Sequence, residues 1–348
     1  MTPQQVFQVR AGRAQLLDLP VDALDLLRDG MPPEMALIAT LLALMPLDPV
    51  RDLPATLALL VLVLALSVVH DVALNGLAVL LVPTAARGTA NGIQIASASA
   101  SILIGSSGAL LLYAHAGWGP TLGALAAIYT LPLAVLARLA EPPAPRARRA
   151  PWRELAGVFH ERRMAVWALI VIPVYAMSEW LASAPQSAML LAAGWPLDRI
   201  ALVQFVATTV QVFTALGTGA AISRYGLRRP ALAIGVLGLA AVAGLLPLAA
   251  GQASTVPTGI VLVVLSAVYG AKLTWISTVS MDFAHRSSAS AATRFTVPMS
   301  IEGIFVTIIS SAGLGLAGAI GFPWLIAGAL VAGVIGTALA PRWIRRHT

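Results

Sequence analysis

Three charged side chains lie deep inside long apolar runs of the sequence: Glu179, Lys272 and Glu302. A charged group at the centre of a bilayer costs roughly 3 kcal/mol or more, so such residues usually face a bundle interior or an aqueous path. Lys272 is the only lysine of the chain. It could pair with Glu302 across two helices, which would lower the cost of both charges. The sequence therefore predicts a polar site near the middle of a membrane.

Aromatic and amide side chains accompany these charges. Trp180 follows Glu179 directly, and a Trp ring can stack on a flat or cationic solute. Gln204 lies in the next apolar run, and Trp275 lies one turn after Lys272. We expect these residues to face a cavity for a solute. The alternatives are an interfacial Trp180 in a broken helix and a Lys272 that extends its ammonium group to the membrane surface.

A second polar group lies earlier in the chain. Asp71 and Asn75 are spaced i, i+4 and therefore share one helix face, with His70 beside them. Asn91 and Gln94 lie one turn apart on the next run. The first pair predicts a proton-linked or gating cluster, or else a solvated helix end. The second pair predicts a cavity wall, or else hydrogen bonds between membrane helices.

The composition indicates an integral membrane protein. Of 348 residues, 58% are hydrophobic and only 11% are charged, against roughly 25% charged residues in an ordinary soluble domain. The chain has no cysteine, which excludes disulfides, thiolate metal sites and a cysteine nucleophile. It also contains no H-E-x-x-H, G-x-S-x-G or P-loop motif. We therefore expect no enzyme activity, no cofactor and no metal.

Ten apolar runs predict an all-α protein with about ten transmembrane helices. Residues 1–34 form an N-terminal segment that could not span a bilayer. The first run is short, because its apolar residues are bounded by Glu34 and Asp48. Glycines in and directly after the ninth run indicate close helix packing, either alone or together with hinge capacity; they are Gly313, Gly315, Gly318 and Gly321. The runs lie at 35–50, 54–80, 90–113, 118–139, 164–192, 198–222, 230–250, 255–281, 292–320 and 322–341.

Arginines alternate between rich and poor connections along the chain. The connection from Arg138 to Arg163 contains seven, whereas Ala114–Gly119 contains none. The positive-inside rule then places the arginine-rich connections and both termini in the cytoplasm. Residues 140–163 are rich in Pro and Arg, which predicts a hydrophilic linker between a four-helix bundle at 35–139 and a six-helix bundle at 164–348. This division is typical of a two-bundle transporter.

A short loop after the sixth run resembles a signature of the major facilitator superfamily, in which glycine is followed by Asp-Arg-x-Gly-Arg-Arg. Ser223 stands where that family usually has Asp, so the charge relay of the loop is expected to differ. If this is the second copy of the loop, the ten runs correspond to helices 3 to 12 of the family, and its first two helices are lacking. The residues that carry the resemblance are Gly219, Arg224, Gly226, Arg228 and Arg229.

Three further stretches resemble the muropeptide-permease (AmpG-type) and RhtX/FptX-type siderophore-importer branch of that superfamily. They are His70-Asp-Val-Ala-Leu-Asn-Gly, Arg87-Gly-Thr-Ala-Asn-Gly-Ile-Gln94, and Asp282-Phe-Ala-His followed by Ala292-Thr-Arg-Phe.

The resemblance implies a monomeric secondary transporter of the inner membrane. It would work by alternating access, with protons as the coupling ion, and would import an iron-siderophore or a muropeptide. We expect no nucleic-acid partner. The alternative is a truncated remnant or a structural membrane protein that does not transport.

Overall fold

A computed structural model describes residues 33–136, 159–252, 254–285 and 291–347. Every regular element in these ranges is helical, as expected where a backbone in lipid must satisfy its own hydrogen bonds. The α-helices are α1 (Pro33–Leu44), α2 (Leu53–Leu81), α3 (Arg87–Ile102), α4 (Ala109–Ala116), α5 (Trp118–Leu136), α6 (Arg162–Val166), α7 (Ile172–Ser183), α8 (Gln186–Ala192), α9 (Leu197–Tyr225), α10 (Arg228–Gly244), α11 (Leu246–Ala249), α12 (Thr255–His285), α13 (Ala291–Ile320) and α14 (Phe322–His347).

The helices confirm the membrane fold class. Eight helical stretches in the described part of the chain are long and apolar enough to cross a bilayer. The first predicted run forms only the 12-residue α1, below the roughly 20 residues that a span needs. The N-terminal segment at 1–32 and the greater part of the predicted linker lie outside the described residues.

The smaller of two compact units contains the described residues 33–74 and 104–136. Its core joins α1, α2 and α5 through Leu41, Leu44, Leu59 and Leu122. The Trp118 indole N–H donates to the Leu44 carbonyl at 2.9 Å. The same carbonyl accepts from the Leu47 N–H at 3.2 Å, so the indole adds a second hydrogen bond at the end of α1.

The larger unit contains the described residues 75–103 and 159–347. Aromatic rings from α7, α12 and α14 fill its centre together with a π-helical turn at Trp167–Val171. The Trp167 ring stacks on Trp343 with centroids 5.2 Å apart, and its indole N–H donates to the Ser280 hydroxyl. Large rings that bury their N–H groups against hydrogen-bond partners make this part of the unit a well-defined core.

The fifth predicted run is broken rather than continuous. Its π-helical turn leads into α7, and Pro185 then separates α7 from α8. Proline has no N–H and ends helices in this way. The break belonged to the alternative interpretation of this run, and it places Glu179 in the second-last turn of α7.

Helices α3 and α9 approach each other closely through small residues. A Cβ atom added to Gly92 would lie 2.8 Å from the Ala215 carbonyl oxygen, and one added to Gly88 would lie 2.7 Å from that of Gly219. Such distances are below ordinary contact, so only glycine fits at these positions. Small residues at membrane helix contacts allow this proximity of backbones.

Candidate solute-binding site

A buried ion pair between α7 and α12 lies beside the site, and its carboxylate residue, Glu179, lines the cavity. The Lys272 ammonium nitrogen lies 2.6 Å from Glu179 Oε2, and both side chains are almost fully buried. The ammonium group also donates to the Tyr175 carbonyl at 2.6 Å and lies 4.3 Å from the centre of the Tyr175 ring. The positive charge of Lys272 is therefore fully engaged by groups of the protein itself.

The predicted pairing of Lys272 with Glu302 is wrong. Lys272 binds Glu179 instead, because the end of α7 offers it a carboxylate and the Tyr175 carbonyl at one place. Glu302 is 8% exposed on α13, and it forms no ion pair with any residue that the structure describes. Its Oε1 atom is buried without a hydrogen-bond partner.

A cavity of about 220 Å³ opens beside this pair. Glu179, Trp180 and Tyr269 line it, with Val306 one turn after Glu302 on α13. Leucines of α12 complete the apolar part of the wall. The neutral polar side chains that line it are Ser183, Gln186, Gln204, Thr208, Gln211 and Ser266.

Two classes of polar side chain line this cavity. Gln211 is fixed, because its amide donates to the Ser99 hydroxyl at 2.9 Å and accepts from the Ser266 hydroxyl at 2.9 Å. The side chains of Gln186 and Gln204, in contrast, make no hydrogen bond to the described residues. Gln204 is also exposed. These two amides are therefore available to a solute as donors and acceptors.

The other predicted site residues lie away from this cavity. Asn91 is fully buried and donates to the Arg87 carbonyl at 2.8 Å. Gln94 donates to Asn75 at 2.7 Å. This is the hydrogen bond between helices that the sequence offered as the alternative to a cavity wall. Trp275 belongs to the aromatic core, and its indole N–H donates to a backbone carbonyl. Asp71 is exposed.

His70, next to Asp71, has a partner that the sequence reasoning missed. Its Nδ1 atom lies 2.8 Å from Glu34 Oε1, and both side chains are largely buried in the smaller unit. The sequence assigned Glu34 to the N-terminal segment before the first run. The signal that could have found it is its position at the first turn of an apolar helix.

The predicted gating loop is arranged around Gly219 and Gly226. Gly219 packs against Gly88, and Gly226 ends α9 with a φ of +73°, which favours glycine. Arg224, Arg228 and Arg229 are all exposed.

The charged contact at this end is the pair of Arg87 Nη1 and Asp282 Oδ1, 2.7 Å apart, with the arginine 3% exposed. Ser223, which replaces the usual Asp, forms a hydroxyl–hydroxyl bond of 3.1 Å with Thr89. The sequence did not predict the Arg87–Asp282 ion pair, although both residues lie within the stretches that carry the family resemblance.

The family of the chain follows from a comparison with known families. The family model of the Major Facilitator Superfamily matches residues 35–301. The chain belongs to the Major Facilitator Superfamily. Among curated proteins, none matches it significantly. This superfamily protein is therefore a multi-pass membrane transporter of a small-molecule solute, and the predicted resemblance to the superfamily is confirmed.

Proposed function

We propose that this protein is a proton-coupled secondary transporter that imports a polar solute by alternating access across the inner membrane. The cavity beside Glu179 and Trp180 is the observation that carries this proposal. It combines aromatic side chains with a few unpartnered amides, as ligand pockets do, and it lies beside a charged pair and a broken helix, as sites of secondary transporters do. The protein would act as a monomer, with its termini in the cytoplasm.

The class of solute rests on the resemblance to the AmpG-type and siderophore-importer branch. That branch supports an iron-siderophore or a muropeptide as the imported molecule. The stretches around His70, Arg87 and Asp282 carry the resemblance.

Glu302 is the residue that best suits proton coupling. A carboxyl group without a counter-charge changes the net charge of its surroundings whenever it binds or releases a proton. Glu179 is less suited to this role, because its carboxylate already has the Lys272 ammonium group as a partner at 2.6 Å. Glu302 is also one helical turn from Val306, which lines the cavity. Proton binding at Glu302 would therefore change the electrostatic potential at the solute site.

The contact of α3 with α9 and α12 suits a gate on the cytoplasmic side. Arg87 and Asp282 form an ion pair there, and Gly88 packs against Gly219. Both contacts would have to separate before a solute could pass on this side. The exposed arginines of the neighbouring loop support its cytoplasmic position.

Uptake into proteoliposomes tests the proposal. Labelled siderophores and muropeptides are offered with and without an inward proton gradient, and we expect uptake of one class to rise with the gradient. Glu302→Gln should remove the dependence on the gradient. Asp198→Asn, which changes an exposed carboxylate in the first turn of α9, should retain it. If uptake by the unaltered protein does not depend on the gradient, proton coupling is refuted. If neither class of solute is taken up, the proposed solutes are refuted.

A further inference from the structure

We infer that the cavity beside Glu179 binds an uncharged, hydrogen-bonding part of the solute and excludes anions. This inference rests on the proposed function, because it specifies the solute of the same site. It follows from the charges that the wall presents, the hydrogen-bonding groups that remain free, and the volume.

The described residues offer no available positive charge to a bound anion. Among the described residues that line the cavity, none is Lys, Arg or His. The nearby ammonium group of Lys272 already has Glu179 and the Tyr175 carbonyl at 2.6 Å each, and it is 3% exposed. An anionic solute would lose its hydration in the cavity without gaining a partner, and such a transfer is strongly unfavourable.

A cationic group gains little from this wall as well. The Glu179 carboxylate is neutralised by Lys272 at 2.6 Å. Its second oxygen, Oε1, has no hydrogen-bond partner but is buried against Gly238. A cation drawn to this carboxylate would also approach the ammonium group, and the repulsion would offset the attraction.

Neutral groups, in contrast, find several free partners. The amides of Gln186 and Gln204 and the hydroxyl of Tyr269 make no hydrogen bond to the described residues. Each amide offers both donors and acceptors, and a hydroxyl offers both roles too. A solute moiety with hydroxyl or amide groups can therefore satisfy all three.

The volume limits the size of the bound moiety. The cavity measures about 220 Å³. This volume is less than the roughly 300–1,000 Å³ of pockets that enclose drug-sized ligands. The cavity therefore suits one polyhydroxylated or amide-bearing ring, or the end of a larger solute.

Thermal unfolding of the purified full chain in detergent tests this inference. The probes are matched sets that share one ring and differ in charge, such as glucose, glucosamine and glucuronate, together with the corresponding amide-bearing rings. We expect neutral members to raise Tm, and anionic members to leave it unchanged. Gln204→Leu should weaken the apparent affinity about fivefold, the loss of one neutral hydrogen bond. Gln252→Leu, at an exposed glutamine outside the cavity, should not.

A gain-of-function variant separates binding from folding effects. Gln204 is exposed, so Gln204→Lys can be accommodated and would add a free positive charge to the wall. We expect glucuronate to raise the Tm of this variant only. The inference is overturned if anionic members stabilise the unaltered protein, or if no neutral member does. Uptake of an anionic solute would refute it while the proposed transport stands, whereas binding of neutral members without any uptake would refute the transport.

Discussion

At the scale of single residues, the buried pair of Lys272 and Glu179 determines how the protein responds to the loss of a charge. Removing one partner of a buried ion pair typically costs roughly 3–5 kcal/mol, because the other charge stays buried without compensation. Replacing both partners by neutral groups of similar size costs much less. The two contacts of 2.6 Å made by the ammonium group indicate that this pair acts as one unit.

A double-mutant cycle measures that coupling. We expect Lys272→Met and Glu179→Gln each to lower the free energy of unfolding by roughly 3 kcal/mol, and the double variant to lower it by less than the sum. Thermal unfolding in detergent gives the comparison.

The matched cycle combines Lys272→Met with Glu302→Gln. These residues form no pair, so we expect their effects to add within about 0.5 kcal/mol. Additive effects in the first cycle, or strong coupling in the second, would contradict the pairing of Lys272 with Glu179.

The sequence predicted the depth of these charges but not their partners. Position within an apolar run predicts that Glu179, Lys272 and Glu302 lie inside the membrane region, because depth depends on the count of residues from the run's ends. Which carboxylate meets the lysine depends on how helices face one another, and helix facing is a property of tertiary packing. The spacing of residues along the chain does not contain that information.

At the scale of helices, glycine residues allow the backbones of α3 and α9 to come into direct contact. Gly219 packs against Gly88 and Gly92, so an added Cβ atom would overlap their backbones. Gly217 lies two residues earlier on α9 and has nothing within 4 Å of its added Cβ. The same helix therefore offers a glycine that is required by packing and one that is not.

Alanine substitutions on α9 test this difference. We expect Gly219→Ala to destabilise the protein by roughly 1–3 kcal/mol, the usual cost of forcing extra volume into a packed contact. Gly217→Ala should be neutral or stabilise by up to about 1 kcal/mol, because alanine favours a helix over glycine. Thermal unfolding of both variants measures these changes in stability. Equal changes in the two variants would mean that the close contact is absent.

The prediction of close packing at glycines was partly wrong. Added Cβ atoms at Gly315 and Gly318 meet nothing within 4 Å, and that at Gly313 lies 3.3 Å from Leu181. Close contacts occur instead at Gly88 and Gly92, because small size permits proximity without showing which face has a neighbour. The break at Pro185 could be predicted, since proline acts on its own helix whatever the neighbours are.

The Arg87–Asp282 pair is expected to control access to the contact of α3 with α9. The natural chain has no cysteine, so a single introduced thiol reports access without interference. Ser99→Cys places it at a side chain that is 1% exposed. We expect Asp282→Asn to raise the rate of maleimide labelling at this position several-fold, because the buried Arg87 loses its partner and the contact opens more often.

A thiol at exposed Ser97 is the control for that experiment. Its labelling rate should be the same with and without Asp282→Asn. If the substitution leaves labelling at position 99 unchanged, the ion pair does not hold this contact closed.

At the scale of the whole molecule, composition alone was sufficient for the fold class. With 58% hydrophobic residues and 11% charged residues, the chain is expected to satisfy its backbone as membrane helices, and eight helical stretches among the described residues have the required length and composition. Orientation is a separate matter, because it depends on a few arginines in the connections. The order of rich and poor connections is therefore what a topology experiment has to test.

Labelling in intact cells tests the predicted orientation. The connection from Arg138 to Arg163 holds seven arginines, and Ala114–Gly119 holds none, so we expect the two to lie on opposite sides of the membrane. A single thiol from Ala150→Cys should react with an impermeant maleimide only after the cells are permeabilised. One from Ala116→Cys, at an exposed position in the arginine-free connection, should react in intact cells. Each thiol serves as the control for the other, since an inverted protein would exchange the two results. Labelling of position 150 from outside would place the arginine-rich connection in the exterior and reverse the direction assigned to the Arg87–Asp282 gate.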